Sequence, residues 1–172
     1  MHINRIPGNT MKLFRCILMA AALLSTQAIA QTVDAPLAPK DSAVDMSLAE
    51  LTAAAQHLKD AGISTKRMLE GGIFSINVRH IQGAETALQH GRISEVWVIQ
   101  EGSGIVATGG ELVDKEAGSS AGEFRGSAIR GGNERLIQAG DVVFVPPGVP
   151  HGIKQTDSIV YLNIRFELRD ED

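Results

Sequence analysis

The chain contains 172 residues, carries a formal net charge of −4, and is 44% hydrophobic but only 4% aromatic. This length is typical of one domain that buries its own core without disulfide cross-links. An acidic chain with no basic cluster argues against nucleic acid as a partner.

The N-terminus has the pattern of a secretory signal peptide. Residues 11–30, MKLFRCILMAAALLSTQAIA, combine a basic start, a short apolar run and a small-residue cleavage pattern that ends at Ala30. The apolar run is shorter than a stable membrane span requires, and a retained N-terminal anchor is the alternative. We therefore predict that residues 1–30 are removed, that no stable membrane span remains, and that the protein is periplasmic or secreted. Cleavage removes Cys16, the only cysteine, and thereby excludes thiol catalysis.

The mature chain is predicted to begin with a linker and a helix. Residues 31–46 contain two prolines and no hydrophobic periodicity, which is typical of a linker or a surface arm. Ser47 and Glu50 form a capping-box pattern, and apolar residues then recur at helical spacing up to Gly62, a residue type that commonly caps helix C-termini. The sequence therefore predicts one N-terminal helix over residues 47–61.

The hydrophobic period changes to two residues after the helix. In IFSINVRHI, the apolar phase of Phe74, Ile76 and Val78 also carries His80, which is the pattern of a half-buried strand. Seven further short strand-like runs follow, separated by glycine-containing turns. Many short strands at close spacing predict an all-β, antiparallel sandwich or barrel. The polar, glycine- and serine-rich residues 114–126 are predicted to form a mobile loop between two strands.

The stretch GDVVFVPPGVPH, residues 140–151, ends a strand-like run with prolines, a glycine and a histidine. Gly140 turns the chain into the strand, Pro146 ends its hydrogen bonding, Gly148 permits a tight bend, and His151 opens the next strand. The spacing of these four residues resembles the second sequence motif of the cupin family.

An upstream segment resembles the first cupin motif, which is a pair of histidines followed by a glutamate and a glycine. His90 and Glu95 match the second histidine and the glutamate, and the glycine also matches, whereas Leu88 stands at the position of the first histidine. The resemblance covers roughly residues 70–168 and is closest in kind to the small secreted single-domain cupins. It implies a cupin-type antiparallel β-barrel, also called a double-stranded β-helix or jelly roll, within one domain over residues 47–172.

The resemblance implies a metal site made by His90, Glu95 and His151. Two histidines and one carboxylate are the ligand pattern of non-haem Fe(II) sites, and the set also suits manganese, nickel or zinc. Strand alternation places His90 on one face with Leu88, and Glu95 on one face with Trp97, so the ligands converge if both faces point into the barrel. The alternative is a metal-free cupin in which the three polar residues bond to each other or to a ligand.

Further residues are candidates for the surrounding pocket, namely His80, Leu88, Trp97, Phe144, Tyr161 and Arg165. His80 is a candidate fourth ligand, a pocket-wall donor or a strand-end histidine. Trp97, Phe144 and Tyr161 are candidate apolar lining, although ordinary core packing is the favoured interpretation. Arg165 either points inward, where it would bind a substrate carboxylate, or lies on a solvated face, which the sequence favours.

Two functional hypotheses follow from these observations. The first is a metal-dependent enzyme of the dioxygenase, isomerase or lyase type that acts on a small oxygen-bearing organic substrate. The second is a non-catalytic cupin that binds a small sugar or organic acid, with metal absent or structural. Fold-level resemblance does not choose between them, because one fold hosts many chemistries. No catalytic acid or base is assigned beyond the ligands, and a homodimer formed through the outer sheet is predicted because cupins commonly pair.

Overall fold

The computed structural model describes His2 and residues 35–167. The predicted cleavage site at Ala30 and the start of the predicted linker lie outside the described residues. Between residues 35 and 167, no helix is both long enough and apolar enough to cross a membrane.

The one helix of residues 35–167, α1 (Leu48–Ala61), begins and ends where the sequence predicts. The Ser47 hydroxyl accepts a hydrogen bond from the Glu50 backbone N–H at 3.3 Å, and the Glu50 carboxylate accepts one from the Ser47 N–H at 2.8 Å. These reciprocal bonds satisfy two N–H groups that the first helical turn leaves without partners. The helix buries Ala54, Ala55 and Leu58 against the outer face of the sheet.

Eleven strands follow in the described part of the chain, and every strand pairing is antiparallel. They are β1 (Thr65–Glu70), β2 (Phe74–Gly83), β3 (Ala87–His90), β4 (Ile93–Thr108), β5 (Glu111–Val113), β6 (Glu116–Ala117), β7 (Glu123–Gly126), β8 (Ala128–Arg130), β9 (Asn133–Gln138), β10 (Val142–Val145) and β11 (His151–Glu167). Nine of them form one sheet that does not close on itself, and β5 and β8 form a separate pair. The predicted all-β architecture with one N-terminal helix is confirmed.

Two long strands, β4 and β11, run side by side through both layers of the barrel. The first half of β4 lies between β10 and the end of β11, and its second half lies between β9 and the start of β11. The layers enclose an apolar core. Its members are Ile81, Trp97, Ile99, Val106, Ile137, Val143, Val145, Ile153, Ile159 and Tyr161.

The passage of β4 from one layer to the other depends on Gly102. The sequence marks Glu101 and Gly102 as a turn between two strands, but the structure continues as one strand through both residues. Gly102 has a φ of +74°, and a Cβ there would lie 2.0 Å from the carbonyl oxygen of Ser158 on β11. Only glycine permits this positive φ together with so close an approach of the neighbouring strand.

The segment of residues 114–126 contains regular structure where the sequence predicts a loop. Strands β6 and β7 form a hairpin within it, and β7 pairs along its length with β3. Backbone pairing overrides the polar, glycine-rich composition, because β3 offers an otherwise unpaired edge. The hairpin brings Glu123 to the end of β3, beside His90.

Candidate metal centre

Three side chains from three strands converge at one end of the barrel interior. His90 ends β3, Glu95 lies near the start of β4, and His151 is the first residue of β11. Each of the three residues is 3% exposed, and one potential ligand atom from each lies within 4.8 Å of the others.

The proline- and glycine-containing segment after β10 sets the position of His151. Pro146 follows the last residue of β10, and Gly148 adopts a φ of +78° that turns the chain back. The Gly148 N–H donates to the His90 carbonyl at 2.7 Å, and its carbonyl accepts from the Gln89 side chain at 2.7 Å. These bonds fix the bend to the end of β3, so His151 enters β11 next to His90.

The two oxygens of Glu95 have different partners. Its Oε2 accepts hydrogen bonds from Trp97 Nε1 at 2.7 Å and from Asn163 Nδ2 at 3.1 Å. Its Oε1 lies 3.1 Å from His90 Nε2 and 3.0 Å from Arg165 Nε. Burial raises the pKa of the Glu95 carboxyl, but hydrogen bonds from His90 and Trp97 and nearby positive charge outweigh it and lower the pKa to about 2. The carboxylate is therefore charged at neutral pH.

The histidine rings are oriented by their Nδ1 atoms. The Nδ1–H of His151 donates to the Val149 carbonyl at 2.8 Å, and His90 Nδ1 contacts the Glu123 carboxylate. Burial lowers the pKa of His151 and favours its neutral ring. With the proton on Nδ1, the Nε2 lone pair points toward the cluster, where it is buried with no hydrogen-bond partner among the described residues.

The donor set fits a divalent cation. The Nε2 of His90 lies 3.1 Å from Glu95 Oε1, so this ring nitrogen and the charged carboxylate are close enough to bind one cation. The Nε2 of His151 lies 3.6 Å from Glu95 Oε2 and has no hydrogen-bond partner among the described residues, so it requires a proton donor or a cation. In metal-binding histidines, the ring nitrogen that does not bind the metal usually contacts a carboxylate or a carbonyl. Glu123 and the Val149 carbonyl are in these positions here.

Comparison with solved structures shows which known proteins this chain resembles in fold. A Bacillus halodurans protein, BH2720, aligns with a TM-score of 0.50 and 13% identity over 77% of this chain and 86% of that chain. A cupin superfamily protein from Desulfitobacterium hafniense aligns at 0.42 and 11% over 60% and 76% of the two chains. Hydroquinone 1,2-dioxygenase from a Sphingomonas species aligns at 0.43 and 16% over 58% and 63%. The chain shares the fold of BH2720. No protein-family model matches it, and no curated protein sequence is significantly similar.

These likenesses extend to the fold and not to the reaction, because the identities are low. Leu88 takes the position of the histidine that the first cupin motif would place here. It is paired with His151 in the strand register and lines a cleft of about 460 Å³ with Arg79 and Glu85. The hydrocarbon side chain adds no ligand atom to the cluster.

Arg165 is the largest departure from the sequence-based expectation of a solvated side chain. Its side chain is 24% exposed and points inward, where Nε lies 3.0 Å from Glu95 Oε1. Its Nη2 lies 3.4 Å from both ring nitrogens of His90, so the guanidinium lies beside the ring. Arg165 also lines a cleft of about 300 Å³ with Ser75, Phe166 and other residues. None of the three candidate ligands lines this cleft, and Arg165 connects it to Glu95. The outward interpretation was therefore wrong.

The remaining candidates separate into interior and exterior groups. Trp97 and Tyr161 are buried core residues with ring centroids 4.9 Å apart, as the packing interpretation expects. Phe144 is 59% exposed on the outer face of β10 and does not line the cluster. His80 is buried on the outer layer beneath α1, where its Nε2 lies 3.1 Å from Ser158 Oγ, so it is not a fourth ligand.

Sequence reasoning missed two residues that shape the centre. Asn163 on β11 donates to Glu95, and Glu123 on β7 contacts the outer nitrogen of His90. Neither belongs to a cupin motif, and Glu123 lies in the segment that the composition predicts to be a loop. The alternation that put Asn163 on one face with Tyr161 and Arg165 was the only available signal.

Proposed function

We propose that this protein is a periplasmic or secreted cupin that binds one divalent metal ion and acts on a small oxygen-bearing organic molecule. The metal ligands in this proposal are His90, Glu95 and His151. The observation that carries it is the buried Nε2 of His151, which has no hydrogen-bond partner among the described residues and lies beside a charged Glu95 carboxylate and His90 Nε2, so that one cation would satisfy it.

The surrounding residues prepare the ligands for this role. Trp97 and Asn163 hold one oxygen of Glu95, and the acceptors on both Nδ1 atoms hold the histidine rings. Such outer contacts orient metal ligands and raise metal affinity. A bound ion supplies Lewis acidity or, if it is iron, dioxygen activation. With three protein ligands the set leaves coordination positions open, and iron, manganese, nickel and zinc all accept it.

Arg165 supports the choice of an acidic, oxygen-bearing substrate. Its guanidinium lies between the candidate ligands and the adjoining cleft. Arginine recognises carboxylates through two parallel N–H donors, so a small organic acid in this cleft would bind Arg165 and lie beside the cluster. The reaction classes that suit such a site are oxygenation, isomerisation and lyase chemistry.

The first experiment measures metal content by plasma mass spectrometry on protein purified without an affinity tag or added metal. We expect close to one equivalent of iron, manganese, nickel or zinc in the wild type and a loss of metal in a His90→Ala/His151→Ala double variant that stays folded. The identity of the metal then selects between oxygen chemistry and Lewis-acid chemistry for substrate screens. Absence of metal even after anaerobic Fe(II) loading would contradict the proposal.

A metal-free outcome would favour a second function, non-catalytic binding of a small sugar or organic acid. Two observations favour this alternative. Leu88 replaces one histidine of the usual cupin ligand set, and Arg165 already provides a positive charge beside Glu95. The same cleft would then serve as a binding site alone. Calorimetric titration with small acids and sugars, at equal concentrations with and without metal, distinguishes the two functions.

We also propose that two copies associate through the outer face of the sheet. Strand β10 pairs only with β4 in the described part of the chain, and Val142 and Phe144 project from its outer face with 58% and 59% exposure. Edges of this kind are usually protected, and pairing of two copies protects both. We expect a dimer by light scattering after size exclusion and a monomer for Phe144→Asp. A monomeric wild type at micromolar concentration would contradict the dimer.

A further inference from the structure

We propose that Arg165 is an internal cation that competes with the metal for Glu95, and that an anionic ligand relieves this competition. The inference rests on the proposed metal site. It adds that the metal and a carboxylate ligand bind with positive coupling, and that Arg165 is the residue that couples them.

The first support is the occupancy of the Glu95 oxygens. Both donors on Oε2, from Trp97 and Asn163, are buried side chains that belong to the barrel interior. Oε1 is therefore the oxygen most available to a metal ion, and it also faces His90 Nε2. Arg165 Nε lies 3.0 Å from this same oxygen. The guanidinium and a metal ion thus share one ligand atom.

The second support is the position of the guanidinium beside the His90 ring. Equal distances of 3.4 Å from Arg165 Nη2 to both ring nitrogens place its positive charge beside Nε2, the atom expected to bind metal. Two cations at such short range in a largely buried site repel each other strongly. Metal binding is therefore opposed as long as Arg165 keeps this position.

The third support is that the arginine has an alternative position. Its side chain keeps 24% exposure and borders the cleft of about 300 Å³, whereas the three candidate ligands are nearly fully buried. The Glu123 carboxylate lies 4.0 Å from Nη2 on the same side. A carboxylate ligand in the cleft would draw the guanidinium away from Glu95. By linkage, a ligand that favours metal binding is itself bound more tightly when metal is present.

The test compares Zn²⁺ affinities, measured by competition with a chromophoric chelator, for the wild type and three variants. Arg165→Met removes the charge with little loss of length, Arg165→Lys keeps a charge, and Arg125→Met removes an exposed surface arginine as the matched control. We expect Arg165→Met to bind Zn²⁺ about 5-fold or more tightly than the wild type, and Arg125→Met to be unchanged. Arg165→Lys should stay closer to the wild type than Arg165→Met.

The second arm repeats the titrations in the presence of benzoate, which binds Zn²⁺ weakly in solution. We expect benzoate to tighten Zn²⁺ binding to the wild type, and Zn²⁺ to tighten benzoate binding by the same factor. In Arg165→Met this coupling should disappear. Circular dichroism and melting curves establish that the variants are folded.

The outcomes separate this inference from the proposed metal site. Equal Zn²⁺ affinities of the wild type and Arg165→Met, or coupling that persists in Arg165→Met, would overturn the role of Arg165 and leave the metal site standing. Binding of Zn²⁺ by Arg165→Met but not by the wild type would support the competition in its strongest form. Failure of both proteins to bind Zn²⁺, together with loading failure for iron, manganese and nickel, would overturn both proposals.

Discussion

The Glu95→Gln variant is expected to lose metal binding and to be less stable than the wild type even without metal. The amide keeps the shape of the side chain but removes the charge that faces His90 and Arg165. Removal of one partner from a buried charge cluster typically costs 3–5 kcal/mol, and the partial exposure of Arg165 places our expectation at the lower end, about 3 kcal/mol. Urea denaturation of chelator-treated protein measures this difference in the free energy of unfolding.

The matched control for this prediction is Glu101→Gln, which removes an exposed carboxylate paired with Lys59. Surface pairs of this kind contribute between about 0 and 1 kcal/mol, so the control should lie close to the wild type. A Glu95→Gln variant that kept wild-type Zn²⁺ affinity would show that this carboxylate is not a metal ligand.

Acidification provides an internal check on the stability difference. The pKa of Glu95 is lowered in the folded protein to about 2 from an ordinary value of 4.5. The folded state therefore gains stability from this group above pH 4.5 and loses it as the pH falls toward 2. The stability difference between the wild type and Glu95→Gln should be constant near neutral pH and shrink between these two values.

The predicted convergence of His90, Glu95 and His151 is found in the structure, because the motifs are tied to backbone geometry. Gly148 and Pro146 produce a bend that only certain residue types allow, and the bend delivers His151 to the end of β3. Alternation along β4 places Glu95 and Trp97 on one face, and both are found inside the barrel. Motif spacing therefore predicts the relative positions of residues that lie on the same short segment of the chain.

The same alternation gave a wrong prediction where the more apolar face of a strand was assigned to the barrel interior. On β11, Tyr161, Asn163 and Arg165 point into the barrel, and the more apolar phase with Leu162 packs outward toward α1. Strand β2 behaves alike, because His80 shares the outward apolar phase. Near the end of β11 the inner face is polar because it surrounds the charged cluster, and the outer face is apolar because a helix covers part of it. Period-two patterns reveal two faces but do not show which one is inside.

Contacts between residues on different strands could not be predicted from a single sequence. Glu123 reaches His90 only because β7 pairs with β3, and the composition around it predicts no strand. Asn163 reaches Glu95 across the pairing of β11 with β4. Such contacts depend on register between distant segments, which neither residue type nor spacing encodes locally.

The Trp97→Ala variant is expected to show the largest loss of stability from a single core substitution. Trp97 is 1% exposed and packs against Tyr161 and His151, with ring centroids 4.9 and 5.7 Å away. Truncation of a buried tryptophan removes its transfer free energy and leaves a cavity, at a typical cost of 3–5 kcal/mol. It also removes a donor from Glu95 Oε2. We expect a loss of about 4 kcal/mol in the free energy of unfolding, measured by urea denaturation.

The Trp97→Phe variant separates packing from the hydrogen bond to Glu95. Phenylalanine fills much of the same space but cannot donate to Oε2, so most of the core stability should be retained while the carboxylate loses one of its two restraining donors. Loss of such an outer contact typically weakens metal binding by 10- to 100-fold. We therefore expect Trp97→Phe to lose Zn²⁺ affinity out of proportion to its modest loss of stability. Wild-type affinity in this variant would mean that Asn163 alone orients Glu95, and that Trp97 acts only through packing.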